Sequence, residues 1–218
     1  MNQPGRIGTD EAGKGDYFGP LVVGAVWADP EMEALLRAQG VKDSKRTADN
    51  VCRKLAVEIS RLCPNHVVRI FPEKYNQLIG QMHNLNHLLG WAHARAIESL
   101  LDELEKRDLN GGIMTVITDQ FGDERILQHA MIKRGRIVNL IQQPRAESET
   151  VVAAASILAR VGFLEGMERL SQEAGLTLPR GATIVIPTAR QVVAKGGEAL
   201  LGKVAKLHFR TTKQVLGR

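Results

Sequence analysis

Residues 8–20, GTDEAGKGDYFGP, restrict the possible folds more than any other stretch of the chain. Gly8, Gly13 and Lys14 match the G-x-x-x-x-G-K spacing of a phosphate-binding loop, but Asp10 and Glu11 lie inside it and Gly15 stands where the magnesium-holding Ser or Thr belongs. Such a loop joins a strand to a helix, whose N-terminus faces the phosphates. Here the segment runs on into LVVGAV, residues 21–26, a β-branched run opened by Pro20, so strand follows strand. Two carboxylates about 4 Å apart repel by roughly 4 kcal/mol at an effective dielectric near 20, and an incoming phosphate would add to that. A hard divalent cation resolves the conflict, because magnesium takes one or two carboxylates and completes its shell with water and phosphate oxygens.

If two ions are held about 4 Å apart, further carboxylates must converge. Asp119 follows the apolar run IMTVIT, where a side chain emerges at a strand's C-terminal edge, the edge at which α/β sheets commonly bind ligands. Glu147 and Glu149, in PRAESETVVAAAS, precede an alanine-rich helix. Plainer readings stay open: Asp119 as a turn former, and either glutamate as a helix N-terminal acid favoured by the macrodipole. The adjacent Asp10–Glu11 pair has no such structural task, since neighbouring strand residues point to opposite faces.

Around these acids the periodicity predicts strands at 7–9, 21–26, 66–71, 113–118 and 137–141, and helices at 32–37, 51–62, 85–107, 124–133 and 151–172. The longest helix carries Leu88, Leu89, Ala92, Ala96, Leu100, Leu101 and Leu104 on one stripe and ends before Asn110-Gly111-Gly112. This succession of strands and helices implies an α/β layer fold with a mixed five-stranded sheet. A basic tail follows. From Thr177 to Arg218 eight Lys or Arg face one acid, Glu198, so this stretch carries +7 of a whole-chain charge of +5 and residues 1–176 carry −2. That asymmetry suits a polyanion-binding protein, and equally a solvated basic helix.

No apolar run near the ~18 residues of a bilayer span is legible, nor a secretory signal, so a cytoplasmic protein without membrane association is expected. Cys52 and Cys63 lack metal or disulfide spacing and read as buried, inert thiols. His83, His87 and His93 include an i, i+4 pair but no accompanying zinc pattern, so they read as solvated or substrate-facing helix residues. Trp27 and Trp91 read as core.

Taken together, GTDEAGKGDYFGPLVVGAV, VKDSKR, TDQF, PRAESE…VAAASILAR and KVAKLHFRTT resemble, in this order and over nearly the whole chain, the catalytic domain of the type 2 ribonucleases H. The likeness is strongest to the bacterial HIII branch. It implies a ribonuclease H-like α/β fold, with residues 1–176 as the catalytic core and 177–218 as a basic helical extension packed on the same domain. It further implies an endonuclease that cuts the RNA strand of RNA–DNA hybrids with two Mg2+ or Mn2+ ions, leaving 5′-phosphate and 3′-hydroxyl ends. Asp10, Glu11, Asp119 and Glu147 match the family's four catalytic, metal-holding acids, with Glu149 in reserve for the fourth. Gly13, Lys14 and Gly15 match the loop along the substrate strand, and Asp43, Ser44 and Lys45 a D-S-K motif associated with phosphate contact. A monomer is the default expectation.

Two departures bear on substrate choice. The HIII branch generally opens with a separate domain resembling the TATA-binding protein, whereas here the catalytic motif starts within ten residues of Met1. Tyrosine occurs only at Tyr17 and Tyr75, so the C-terminal tyrosine that the HII branch uses at an RNA–DNA junction has no counterpart. Cleavage at single embedded ribonucleotides, a non-catalytic hybrid binder and a nucleotide hydrolase using the near-phosphate loop are the competing readings.

Overall fold

The computed structural model describes residues 5–42, 47–109, 113–120, 124–132 and 137–218. In chain order the elements are β1 (Arg6–Ala12), β2 (Leu21–Ala28), α1 (Pro30–Ala38), α2 (Asp49–Leu62), β3 (Asn65–Ile70), α3 (Pro72–Met82), α4 (Leu85–Lys106), β4 (Thr115–Asp119), α5 (Glu124–Ile132), β5 (Asn139–Gln143), a 3-10 turn (Ala146–Ser148), α6 (Thr150–Ala174), α7 (Ile186–Val204) and α8 (Arg210–Leu216). The five strands form one sheet in the order β3-β2-β1-β4-β5. β1, β4 and β5 run parallel, while the connection from β1 to β2 is too short for a parallel crossover, which makes the sheet mixed.

Local chemistry sets the element ends. Asp29 caps α1, its carboxylate accepting from Met32 N at 2.8 Å with Pro30 just inside the helix. Pro72 opens α3, and His83 closes it in the left-handed region at φ 53°. β1 is longer than expected. It continues past Thr9 through Asp10 and Glu11 to Ala12, so the two acids are strand residues. β4 and β5 begin two residues later than the apolar pattern suggests, and the leading Ile113 and Ile137 stay exposed, because pairing starts only where Arg6, Thr115 and Asn139 come into register.

Two compact units are traced by the chain. The first comprises Met1–Ala12, Val23–Val68 and Asn86–Val161. Its core gathers Val26, Leu36, Cys52, Ile59, Ile117 and the first half of α6 from Val151 to Val161. A Cβ on Gly24 of β2 would lie 2.5 Å from the Ala155 carbonyl oxygen, so strand and helix meet backbone to backbone, and the alanine run of α6 is what lets them approach. α6 is long and apolar enough by length and composition to cross a membrane, contrary to the sequence expectation, but 89% of that stretch is buried inside the protein. A helix apolar all round is what a sheet-covered core helix requires. Both cysteines are buried free thiols, as expected, and burial pushes Cys63 up to about 12. Trp27 is core, while Trp91 is only half-buried.

The second unit comprises Gly13–Val22, Arg69–Leu85 and Gly162–Arg218. Buried Tyr17, Phe18 and Tyr75 anchor an aromatic cluster: Tyr17 packs on Phe18 at 5.0 Å and on Phe209 at 6.0 Å, and the exposed His208 on Phe209 at 4.6 Å and on Tyr75 at 5.4 Å between ring centroids. The three pairs that involve Phe18 or Phe209 are edge-to-face, an arrangement that adds about 0.5–1.5 kcal/mol each beyond the area buried. Asn76 ties α3 to the end of α7, donating to the Gly202 and Ala205 carbonyls at 3.1 and 3.0 Å and accepting from Leu207 N at 2.9 Å.

Candidate active site

β1 sorts its side chains by strand alternation. Thr9 and Glu11 share one face, and both reach His93 of α4: the ring Nδ1 lies 2.9 Å from Thr9 Oγ1, and Nε2 lies 3.3 Å from Glu11 Oε2. An ionised Glu11 only accepts, so the ring Nε2 is the donor in that bond. His93 is fully buried. This corrects the expectation of a solvated or substrate-facing residue: of the three helix histidines His83 and His87 are exposed, but His93 shares the apolar stripe with Leu89, Ala92 and Ala96 and meets a strand more than eighty positions away.

Gly8 and Asp10 occupy the opposite face, against α6. A Cβ on Gly8 would fall 2.3 Å from the Val151 carbonyl carbon, so only glycine admits the helix here. Asp10 accepts from Ser156 of α6 and, through Oδ1, from Glu11 N at 2.8 Å. These two bonds do not offset its losses. Desolvation, joined by the charge of Glu11, raises the Asp10 carboxyl from 3.8 to about 6.

Asp119 ends β4. Thr9 pairs in register with Thr118, so Asp10 and Asp119 are the next residues on neighbouring parallel strands, roughly 4.8 Å apart across the ladder and on the same face. Asp119 Oδ1 accepts from Ala146 N at 3.3 Å, which brings the 3-10 turn and Glu147 to this strand end. Arg145, just before the turn, holds a left-handed conformation at φ 57°, a strained state for a non-glycine residue. Glu149 is spoken for: it pairs with Arg6 Nη1 at 2.8 Å, and Arg6 also grips Glu33 of α1 at 2.7 and 2.9 Å. Among the described residues Glu147 has no side-chain partner and is half-buried.

The donors are hard oxygens, and a buried carboxyl beside a second carboxylate is the electrostatic setting a divalent cation relieves. They therefore fit magnesium or manganese. Among the described residues, no three His, Cys, Asp or Glu groups converge as a ready-made ion site.

Of the expected substrate residues, Gly13 has φ +84°, and a Cβ there would lie 2.2 Å from the Pro20 carbonyl oxygen and 2.7 Å from the Phe163 ring. Gly15 is exposed with open space around it, and Lys14 is half-buried. Asp43, Ser44 and Lys45 lie outside the described residues. Sequence reasoning missed His93 and the Arg6–Glu33–Glu149 network. Ser156 was legible as part of the AAAS run, but its bond to Asp10 was not.

Comparison with known proteins matches residues 7–212 to the family described as Ribonuclease HII. The chain belongs to this family. Within the family, its similarity runs to ribonuclease HIII proteins. It is 45% identical over 214 residues to ribonuclease HIII of Protochlamydia amoebophila (strain UWE25), covering 98% of this chain and 69% of that protein. With ribonuclease HIII of Chlamydia pneumoniae it shares 41% over 213 residues, covering 96% and 70%. The crystal structure of Bst-RNase HIII in complex with Mn2+ superposes with a TM-score of 0.90 at 35% identity, over 100% of this chain and 70% of that one.

Proposed function

We propose that this chain is a metal-dependent endonuclease that hydrolyses the RNA strand of RNA–DNA hybrids, leaving 5′-phosphate and 3′-hydroxyl ends. One observation carries the reading: the in-register ends of β1 and β4 set Asp10 beside Asp119, and Asp119 is bonded to the segment that bears Glu147. Asp10, Glu11, Asp119 and Glu147 would hold two Mg2+ or Mn2+ ions. Such ions supply the Lewis acidity that activates an attacking water and stabilises a leaving 3′-oxygen.

The chain's own groups supply the rest. His93 fixes the carboxylate of Glu11, and Ser156 orients that of Asp10. Gly13 and Gly15 offer backbone amides to a ribose 2′-hydroxyl, the group that separates RNA from DNA. Lys14, Ser44 and Lys45 contact phosphates. Residues 177–218 add non-specific affinity as a basic extension of the catalytic core, with Arg180, Arg190, Lys203, Arg210 and Lys213 exposed. The protein acts as a cytoplasmic monomer on nucleic acid, without a membrane.

Two competing readings lose support. Tyr17 and Tyr75 are fully buried, so neither can stack on a base at a single-ribonucleotide junction. β1 leads into β2, not into a helix, so the near-phosphate loop lacks the N-terminus a nucleotide hydrolase needs. The decisive assay follows a labelled hybrid in magnesium and in manganese, beside RNA–RNA, DNA–DNA and a duplex holding one ribonucleotide. Asp10→Asn and Asp119→Asn are expected to lower hybrid cleavage by about 10³-fold or more with the fold intact. Either variant keeping most of the activity would sink the assignment.

A further inference from the structure

Of the eight basic residues in the C-terminal stretch, Lys206 alone is buried, at 0% exposure. Its Nζ donates to the backbone carbonyls of Asp16 at 2.8 Å and Gly19 at 2.7 Å, and its own N–H donates to Tyr17 O at 2.8 Å. Neighbouring ties close the same turn. Gly19 N donates to Val204 O at 3.1 Å, Phe18 bridges to Ala205, and Gly181 N donates to the Asp16 carboxylate at 2.6 Å. The ammonium also lies 5.6 Å from the Tyr75 ring centroid.

Stability alone does not call for a lysine here. A methionine would fill a similar volume without the cost of desolvating an amine. What the amine adds is a bridge between two carbonyls three residues apart. The bridged turn is continuous with the glycine loop: Asp16 N donates to Gly13 O at 3.3 Å, and the Gly13 backbone is packed against the Pro20 carbonyl.

We propose that Lys206 is a positioning residue for substrate binding: by joining the Asp16 and Gly19 carbonyls it fixes the shape of the loop in which Gly13 and Gly15 present their amides to the RNA strand. The proposal rests on the reading of Gly13–Gly15 as the substrate loop. Lys206 itself does not touch substrate.

The test compares Lys206→Met with Thr212→Val, which removes only the 3.2 Å bond between Tyr17 Oη and Thr212 in the same unit. Lys206→Met is expected to raise KM for a hybrid about tenfold or more while kcat stays within about threefold, and Thr212→Val to lower Tm with KM unchanged. A folded Lys206→Met with KM within about twofold of the parent overturns the proposal, as does an equal KM rise in Thr212→Val. Should Lys206→Met fail to fold, Lys206→Gln, which retains a donor of shorter reach, is judged by the same two criteria. A second readout is independent of catalysis: in protein labelled with 15N-glycine, the Gly13 and Gly15 amide signals move in the Lys206 variant and stay in place in Thr212→Val. Unmoved signals overturn the proposal. Full hybrid cleavage by Asp10→Asn would instead remove the catalytic reading, and the amide signals would still judge Lys206.

Discussion

The end of β1 and the turn at Asp16–Gly19 each bury a group that water would solvate, and they treat it in opposite ways. At the turn, the Lys206 amine is met by two carbonyls and an aromatic face. At the strand end, Asp10 receives one hydroxyl and one amide while a second carboxylate stands next to it, and its affinity for a proton rises. Burial disfavours the charged form at both places, and the neighbours separate them: the amine has two carbonyl acceptors, whereas the carboxylate stands beside another carboxylate, the arrangement a bound cation relieves.

The comparison breaks most sharply at the fourth acid. Glu147→Gln is expected to lower kcat by about 10³-fold, whereas Glu149→Gln, which only releases Arg6, should cost less than about tenfold. Equal losses in hybrid cleavage would erase the distinction between an acid held by an ion pair and one left for a metal.

Next in size is the pH dependence of stability at the turn. Burial lowers the Lys206 amine from 10.5 to about 7. Between those values the unfolded chain keeps a proton that the folded chain has released, so this contribution is present above about pH 10.5 and lost as pH falls through 7. Urea titrations of the parent and Lys206→Met should therefore diverge by ~2–4 kcal/mol from pH 7 to 10, the parent gaining. Parallel curves would show that the amine is not desolvated.

Asp10 gives a smaller effect with a different window. Its carboxyl is raised to about 6 from 3.8, so the folded chain holds the extra proton between them; stability is fully present below about pH 4 and lost as pH rises through 6. In EDTA at pH 7.5, Asp10→Asn should be more stable than the parent by ~1–3 kcal/mol, with no gain near pH 3.5. A variant that gains nothing at neutral pH would mean the carboxylate is already compensated. The smallest expected change is at the exposed Arg61–Glu58 pair, bonded at 2.8 Å, where Glu58→Gln should shift urea stability by under ~0.5 kcal/mol.

How far the sequence could be read follows from the range of the contacts involved. Asp119 was legible because it follows an apolar run, and Asp10 and Glu11 because two adjacent acids interrupt a glycine loop, patterns local to a few residues. Most of the element order was legible for the same reason, although α3 (Pro72–Met82) was not among the expected helices. His93 was not, since its role depends on a threonine and a glutamate over eighty positions away, and a helix histidine carries no mark of its partner. Lys206 was counted in a charged tail because composition does not distinguish an exposed lysine from one sealed against two carbonyls. The sequence also left Glu147 and Glu149 level, because the grip of Arg6 on Glu149 is a long-range contact.

The alternation along β1 makes the strand an address as well as a scaffold. Deleting or inserting a single residue between Gly8 and Asp10 would exchange the two faces downstream, presenting a glutamate to the serine of α6 and an aspartate to the histidine of α4, with every residue type still present. Changes in length should be far less forgiving here than changes in kind.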